Sequence, residues 1–562
     1  MSPILIALIA LCALAAGYRF YASYLQKRVF ELSDDEEMPS HRFADGVDFV
    51  PTRREVLWGH HFASVAGAAP ILGPAMAIVW GWLPALVWIV GGVIFMGAAH
   101  DFGALVLSIR HDGKSVGTLT ERFIGPRSRL VFLLVIFFLI WLVGAVFAFA
   151  IAGLFVAFSA SILPVNLEIV VAILIGAWGY RWKRSLVIPS LAALVGLYAV
   201  IFGTSSGLLW VPAEGTLLRS LDFWLVALMV YAFVASSLPV WLLLQPRDLI
   251  NSHQLLVGLV GMYLGFFLTQ PTFHAPAIGP LDALPALVPL LFVTIACGAV
   301  SGFHGLVSSG TTSKQLESAA DARPIGFGGM LAEATLALLA TLAVATGVMQ
   351  DGTHVWHAVY QPMVEAGKLP GVPDALKAFV TGASGMLVSL GIPAQIGASI
   401  VAVLVISFAA TSLDTALRIQ RLILAELGGI FRIEPLQNRW LGGAIASGSV
   451  VVLIYADKAA GAKSLWPVFG ATNQVLAAIS LGLCALYLKR RGAKTLPYLL
   501  PAIFIMCITF SAMCFQVWSD FQGGRPWVAA VGLLIALLTL WVAQEGLGAW
   551  RRKDDGTTIT TD

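Results

Sequence analysis

Fifteen apolar stretches, most of them close to 20 residues long, follow one another from Pro3 nearly to the C-terminus of this 562-residue chain. A bilayer core of about 30 Å takes about 20 apolar residues as a helix, and backbone inside it must hydrogen-bond to itself. These two conditions leave one class open, an all-α polytopic membrane protein. The 12% of charged residues and the mean hydropathy of +0.86 agree, since a soluble chain carries about a quarter charged residues. The crossings are expected near 3–24, 61–79, 83–109, 130–158, 166–180, 186–203, 223–244, 254–270, 285–308, 325–348, 393–417, 440–456, 466–487, 496–518 and 526–546. Residues 1–24 have an apolar run from Pro3 to Gly17 without a basic leader, so they are read as a first span rather than a cleaved signal.

Charge placement orients this layout. Lys and Arg collect on cytoplasmic connections, and 27 of the 34 fall on alternate segments, from Lys27–Arg54 to Arg551–Lys553. Only Arg219, Lys368, Lys458, Lys463 and Arg525 fall on the others. The expected topology therefore has the N-terminus outside and the C-terminus in the cytoplasm. The stretch Ala375–Gly391 is apolar enough to cross, but a crossing there would put Arg418–Arg439 outside, so a re-entrant or interfacial segment is expected instead. Residues 25–58, with Asp34, Asp35, Glu36 and Glu37, read as a solvated cytoplasmic loop. Residues 1–350 form an N-terminal region of about ten helices and 375–546 a C-terminal one of about five plus the re-entrant segment. A cytoplasmic tail, 547–562, follows.

Two glycine-rich polar interruptions break this lipid-soluble pattern. The first runs Gly59-His60-His61-Phe62-Ala63-Ser64-Val65-Ala66-Gly67-Ala68-Ala69-Pro70-Ile71-Leu72-Gly73-Pro74. The second runs Cys297-Gly298-Ala299-Val300-Ser301-Gly302-Phe303-His304-Gly305-Leu306-Val307-Ser308-Ser309-Gly310-Thr311-Thr312. Irregular backbone survives at membrane depth only where protein buries it or a wet cavity lines it, and such broken segments point to a carrier's substrate site. A third break, Ser236-Ser237-Leu238-Pro239, has a proline that removes a helix hydrogen bond; its freed carbonyls are expected to face a cavity. Helix N-termini suit anions, so Ser64, Gly67, Gly73, Ser236, Ser237 and Ser301 are the candidate substrate residues.

Ionisable groups within spans cost about 2.5–3.5 kcal/mol each near the centre and mark function by default. Counted from the helix ends, His60, His61, His100, Asp101, Asp248, His304, Thr311, Thr312, Glu333, Thr411, Ser412 and Asp414 all fall in the cytoplasmic half, on six helices. They are the candidate ion-coupling or gating residues. Buried carboxylates suit reversible protonation, whereas Thr411 and Ser412 offer hydroxyl oxygens to Na⁺; protons are favoured. Blander roles compete. His60 and His61 can be interfacial residues at a helix start, Asp414 can pair with Arg418, and Arg247 and Asp248 can be boundary charge. The adjacent His60 and His61 point to different helix faces, which argues against a zinc site. The five cysteines lack metal spacing and read as small hydrophobes packed between helices. Trp466 reads as an aromatic anchor at the outer interface. No Walker loop, nucleotide fingerprint, HExxH or nucleophile elbow is present, which argues against an ATP-driven pump or membrane hydrolase. No basic stripe suits nucleic acid, and no cofactor motif is found.

The chain resembles the carbon starvation protein A family in several long blocks. They include Gly59–Ser64 through Gly73-Pro74, Trp80-Gly81-Trp82-Leu83-Pro84 and His100-Asp101-Phe102-Gly103-Ala104. Further ones are Leu238-Pro239-Val240-Trp241 with Leu244–Asp248, Ile295–Thr312, Thr411–Ala416 and Leu465–Gly470 with Asn473-Gln474. The resemblance implies a carbon-starvation secondary carrier of the cell inner membrane, a symporter in which peptide transport or proton-coupled pyruvate transport is expected. It also implies an inverted-repeat amino acid–polyamine–organocation (LeuT-like) core plus extra helices. The leading expectation is an importer of a small carboxylate or short peptide, coupled to H⁺ or Na⁺, working by alternating access. The rivals are a non-transporting receptor sensing carbon supply and a channel. Oligomeric state is not legible.

Overall fold

A computed structural model describes residues 2–552 apart from 47, 183, 283, 350–351 and 457–464. Among these residues the regular structure is helical, with only two isolated β-bridges. In chain order the helices used below are α1 (Pro3–Val29), α2 (Arg54–Val65), α3 (Ala69–Trp80), α4 (Trp82–Ile109), α5 (Pro126–Ala157), α6 (Ser159–Trp182), α7 (Val187–Ser205), α8 (Leu221–Ser237) and α9 (Leu244–Thr269). They continue with α10 (Leu287–Thr294), α11 (Gly302–Gly310), α12 (Ala319–Thr346), α13 (Val372–Val388), α14 (Ala394–Phe431), α15 (Arg439–Ala456), α16 (Leu465–Arg490), α17 (Leu496–Gln522) and α18 (Pro526–Arg551). Twelve are long and apolar enough to cross a membrane, and α2 with α3 makes a thirteenth span bent by 47°. The shorter α8 and the divided pair α10–α11 occupy the two remaining expected crossings.

Burial separates core from periphery. The apolar window of α16 is 94% buried and that of α1 only 22%, so α16 packs among helices while α1 turns most of its surface outward to lipid. With α3, α5, α12 and α14, α16 forms the centre. One continuous apolar cluster draws residues from both the N-terminal and the C-terminal sequence regions.

The breaks follow from local chemistry. At α2–α3, Ala66 leaves the helical region (φ −78°, ψ 68°) and Pro70 sits in the first turn of α3, where its missing N–H is harmless. The α10–α11 break spans 295–301. The two breaks lie against each other: a methyl on Gly73 would sit 2.6 Å from the Thr294 carbonyl oxygen, and one on Gly298 would be in ordinary contact with Pro70. At Gly73 only glycine lets the backbones approach so closely.

Most of Ala375–Gly391 lies in the helix α13. At one end of α13, Pro373 packs on Gly153 near the C-terminal end of α5. At the other, Ser389 donates to the Gly265 carbonyl near the C-terminal end of α9 (3.0 Å). Both lie on the same face, so α13 runs across helix ends. The opposite face gathers the basic connections: Arg110 pairs with Glu36, Arg129 with Glu426, and Arg490 donates to Phe123 O (2.8 Å). Residues 25–58 are only partly a solvated loop: Asp34, Asp35 and Glu37 are exposed, but Phe30, Met38 and Ser40 are buried, and Ser40 donates to Leu316 O. The expected tail also changes, since α18 continues to Arg551. Residues 553–562, with Lys458 and Lys463, lie outside the described residues.

Candidate functional site

The buried polar residues gather into two networks on either side of α2. The first joins α4, α11 and α12. Asp101 receives His100 Nδ1 at 2.7 Å on one carboxylate oxygen and His304 Nδ1 at 2.9 Å on the other. The second ring nitrogen of His304 lies 3.2 Å from Glu333, and all four side chains are fully buried. A histidine with a carboxylate oxygen at each ring nitrogen is arranged to hold a proton on both. His61 extends the chain, meeting Thr312 Oγ1 through Nδ1 (2.9 Å). His61 Nε2, His100 Nε2, His304 Nε2 and both Glu333 oxygens have no hydrogen-bond partner, so His304 and Glu333 meet as a close ion-pair approach.

The second network joins α6, α8, α9 and α14. Arg247 Nη1 donates to Asp414 (2.7 Å) and to the Tyr231 hydroxyl (2.6 Å), and Tyr231 donates to the same Asp414 oxygen (2.6 Å). Arg247 Nε lies 3.6 Å from Glu168, whose other oxygen accepts from Ser407 (2.5 Å). Asn251 donates to Thr411 Oγ1 (2.7 Å). The adjacent histidines of α2 divide between the networks: His61 belongs to the first, while His60 Nδ1 lies 3.9 Å from Asp248 beside the second. Successive residues on a helix point about 100° apart, so one turn of α2 reaches both.

Comparison with known proteins fits this geometry. A family model described as "Carbon starvation protein CstA" matches residues 2–367 and 360–512. The chain belongs to this family. It is 32% identical to the peptide transporter CstA of Escherichia coli K12, over 90% of this chain and 79% of that protein. It is 31% identical to the pyruvate/proton symporter BtsT of the same organism, over 90% and 80%. Among solved structures, the crystal structure of MhsT in complex with L-phenylalanine aligns at a TM-score of 0.43 and 14% identity, covering 88% of this chain and 99% of that one.

In this CstA-family chain the remaining candidates divide. Gly67 lies at the α2–α3 break, and a methyl there would meet the Ser412 hydroxyl. Ser301 caps α11 and accepts from Asn473 (3.0 Å), whose Oδ1 also accepts from the Phe303 N–H (3.0 Å). Ser64 turns back to the His60 carbonyl (2.8 Å). Ser236 and Ser237 both bond the Phe233 carbonyl of their own helix. The carbonyls freed near Pro239 do not face a cavity: Arg418 donates to Ala235 O and Leu238 O (3.1 and 2.6 Å). That contact also removes Arg418 as the partner of Asp414. Thr311 is exposed and bonds Val307 O, so it stands apart from the inner network.

Other expectations change for the same reason, that tertiary contacts decide burial. Arg247 and Asp248 open α9 instead of ending the preceding helix, and both are buried. Trp466 is buried with its indole N–H on Thr294 O (3.2 Å), so it braces the α10–α11 break instead of anchoring an interface. Of the cysteines, only Cys297 and Cys484 are buried; Cys12, Cys507 and Cys514 are exposed. No cluster able to hold a metal is present among the described residues. Sequence reasoning missed Glu168, Tyr231, Asn251 and Asn473. Glu168 was the findable one, a lone carboxylate in an apolar run, hidden by a span boundary drawn two residues before it.

Proposed function

We propose that this transporter is a proton-coupled secondary importer of a small carboxylate such as pyruvate, or of short peptides, set in the cell inner membrane with its N-terminus outside. The observation that carries the coupling is the His100–Asp101–His304–Glu333 chain. It is closed to solvent and lipid and spans three helices, and His304 lies beside the Val65 carbonyl that ends α2. A proton held there acts on both broken helices at once. Binding and release of that proton therefore shifts the balance between inward-open and outward-open packings of the breaks. The two mutually packed broken helices also suit a LeuT-like core, and α13 then covers the outer end of the bundle.

Uptake into proteoliposomes tests this reading, with labelled pyruvate and a dipeptide supplied under proton and sodium gradients imposed separately. Accumulation under the proton gradient is expected, and Asp101→Asn is expected to abolish accumulation while leaving gradient-free exchange. No accumulation under any gradient defeats the carrier reading. A sodium-coupled carrier is the second reading, favoured by the Ser412 hydroxyl at the Gly67 break; accumulation driven by sodium alone would select it. The Thr411 oxygen already accepts from Asn251, which weakens that alternative.

A further inference from the structure

The Arg247 network has no part in the proton chain, yet it too gathers charged side chains in the interior. One guanidinium meets Glu168 and Asp414, with Asp248 next to it in sequence. All of these groups are buried. Taking charges out of water is expensive, and a buried pair is weak evidence of stabilisation. The pairing is also incomplete. Arg247 uses Nη1 for both of its hydrogen bonds, while Nε and Nη2 have no hydrogen-bond partner. Glu168 Oε1 and Asp414 Oδ1 are likewise unpartnered. Unpartnered buried polar groups of this kind need an explanation.

A cavity adjoins the network. It has a volume of about 100 Å³ and lies between α5, α6, α8 and α14, with Phe155, Asn166, Trp224, Tyr231, Ile406 and Ala410 among its walls. One water needs about 10–15 Å³ on the same measure. The Tyr231 ring forms part of the wall, and its hydroxyl touches both Arg247 and Asp414. A single aromatic side chain therefore separates a mainly apolar chamber from a guanidinium with free donors. Guanidinium matches carboxylate in a two-pronged geometry and keeps its charge at any working pH.

We infer that Arg247 is a carboxylate anchor: a small monocarboxylate in this cavity displaces Tyr231 and pairs with the guanidinium that Asp414 and Glu168 hold in its absence. The inference rests on the carrier reading and names its substrate class. An incoming anion adds one negative charge, which the site balances when Asp414 takes up a proton. The charged and titratable groups facing this exchange are Glu168 on α6, Tyr231 on α8, Arg247 and Asp248 on α9, Asp414 on α14 and His60 on α2. Arg418, one turn beyond Asp414, is committed to the Ala235 and Leu238 carbonyls.

The test uses the purified full chain, with thermal protection by pyruvate in detergent and pyruvate uptake in proteoliposomes. Pyruvamide is the neutral control. Asp414→Asn removes a resident competitor and keeps the side-chain shape, so half-saturation by pyruvate is expected to fall by roughly tenfold. Arg247→Lys loses the two-pronged geometry and is expected to raise it by roughly tenfold or more. Pyruvamide is expected to protect neither wild type nor variant. If Asp414→Asn binds pyruvate no more tightly, or pyruvamide protects as well as pyruvate, the network is a structural ion pair and the anchor is overturned while wild-type uptake still stands. If the wild type accumulates the dipeptide and neither binds nor accumulates pyruvate, the anchor is overturned and the carrier reading survives. Failure of the wild type to accumulate either solute defeats the carrier reading itself.

Discussion

The two buried networks differ in the one group that cannot change its charge. Around Asp101 the cations are histidines, which can give up a proton and leave a neutral cluster. Around Asp414 the cation is Arg247, which keeps its proton, so every adjustment falls on the carboxylates or on an anion that enters. Both networks keep unpartnered polar atoms, among them His100 Nε2 and both Glu333 oxygens in the first and Arg247 Nη2, Glu168 Oε1 and Asp414 Oδ1 in the second, so the division lies in the cation and not in hydrogen-bond satisfaction. A network that can neutralise itself suits a proton, and one that cannot suits a counter-ion. Similar burial thus supports different chemistry.

Five substitutions probe that difference. The largest effect is expected from Arg247→Met, which strands two buried carboxylates and should destabilise the protein by about 3–5 kcal/mol. His304→Gln leaves neutral hydrogen bonding in place and should cost about 1–3 kcal/mol. Unfolding of the detergent-purified variants checks this order, and equal losses would erase the distinction between the networks. A middle effect is expected from Gly73→Ala, whose methyl meets the Thr294 carbonyl oxygen at 2.6 Å. Separating two packed backbones typically costs about 1–3 kcal/mol, and here it should slow uptake on pyruvate and dipeptide alike, because both networks border α2. The smallest and most selective effects are expected from the α2 pair. His61→Gln should weaken the response of uptake to a proton gradient, while His60→Gln should change half-saturation by substrate. Identical profiles for the two in uptake assays would mean that α2 does not divide the networks.

Some of this site was legible in the chain, and the rest was not. Asp101, His304 and Glu333 stood out because a charge inside an apolar run is costly in lipid. The adjacency of His60 and His61 already implied two directions, although not two destinations. Arg247 was misread because its position beside a break resembled an interfacial charge; burial by α6, α8 and α14 is a property of neighbours that local hydropathy cannot report. Asn473 was passed over for a similar reason. It caps α11, a helix starting more than 170 residues earlier in the chain.

The sequence by itself determined the helical membrane class, the spans and the collection of basic connections on one face. Lipid acts on each segment separately, through its apolar length and the placement of its charges. Which polar groups meet was decided by tertiary structure alone. Asp101 and His304 are 203 residues apart, and Arg247 and Asp414 are 167 apart. Their partnership depends on how glycine-thinned helices pack, and helix packing in a bilayer is set by close approach and hydrogen bonding, which hydropathy along the chain does not encode.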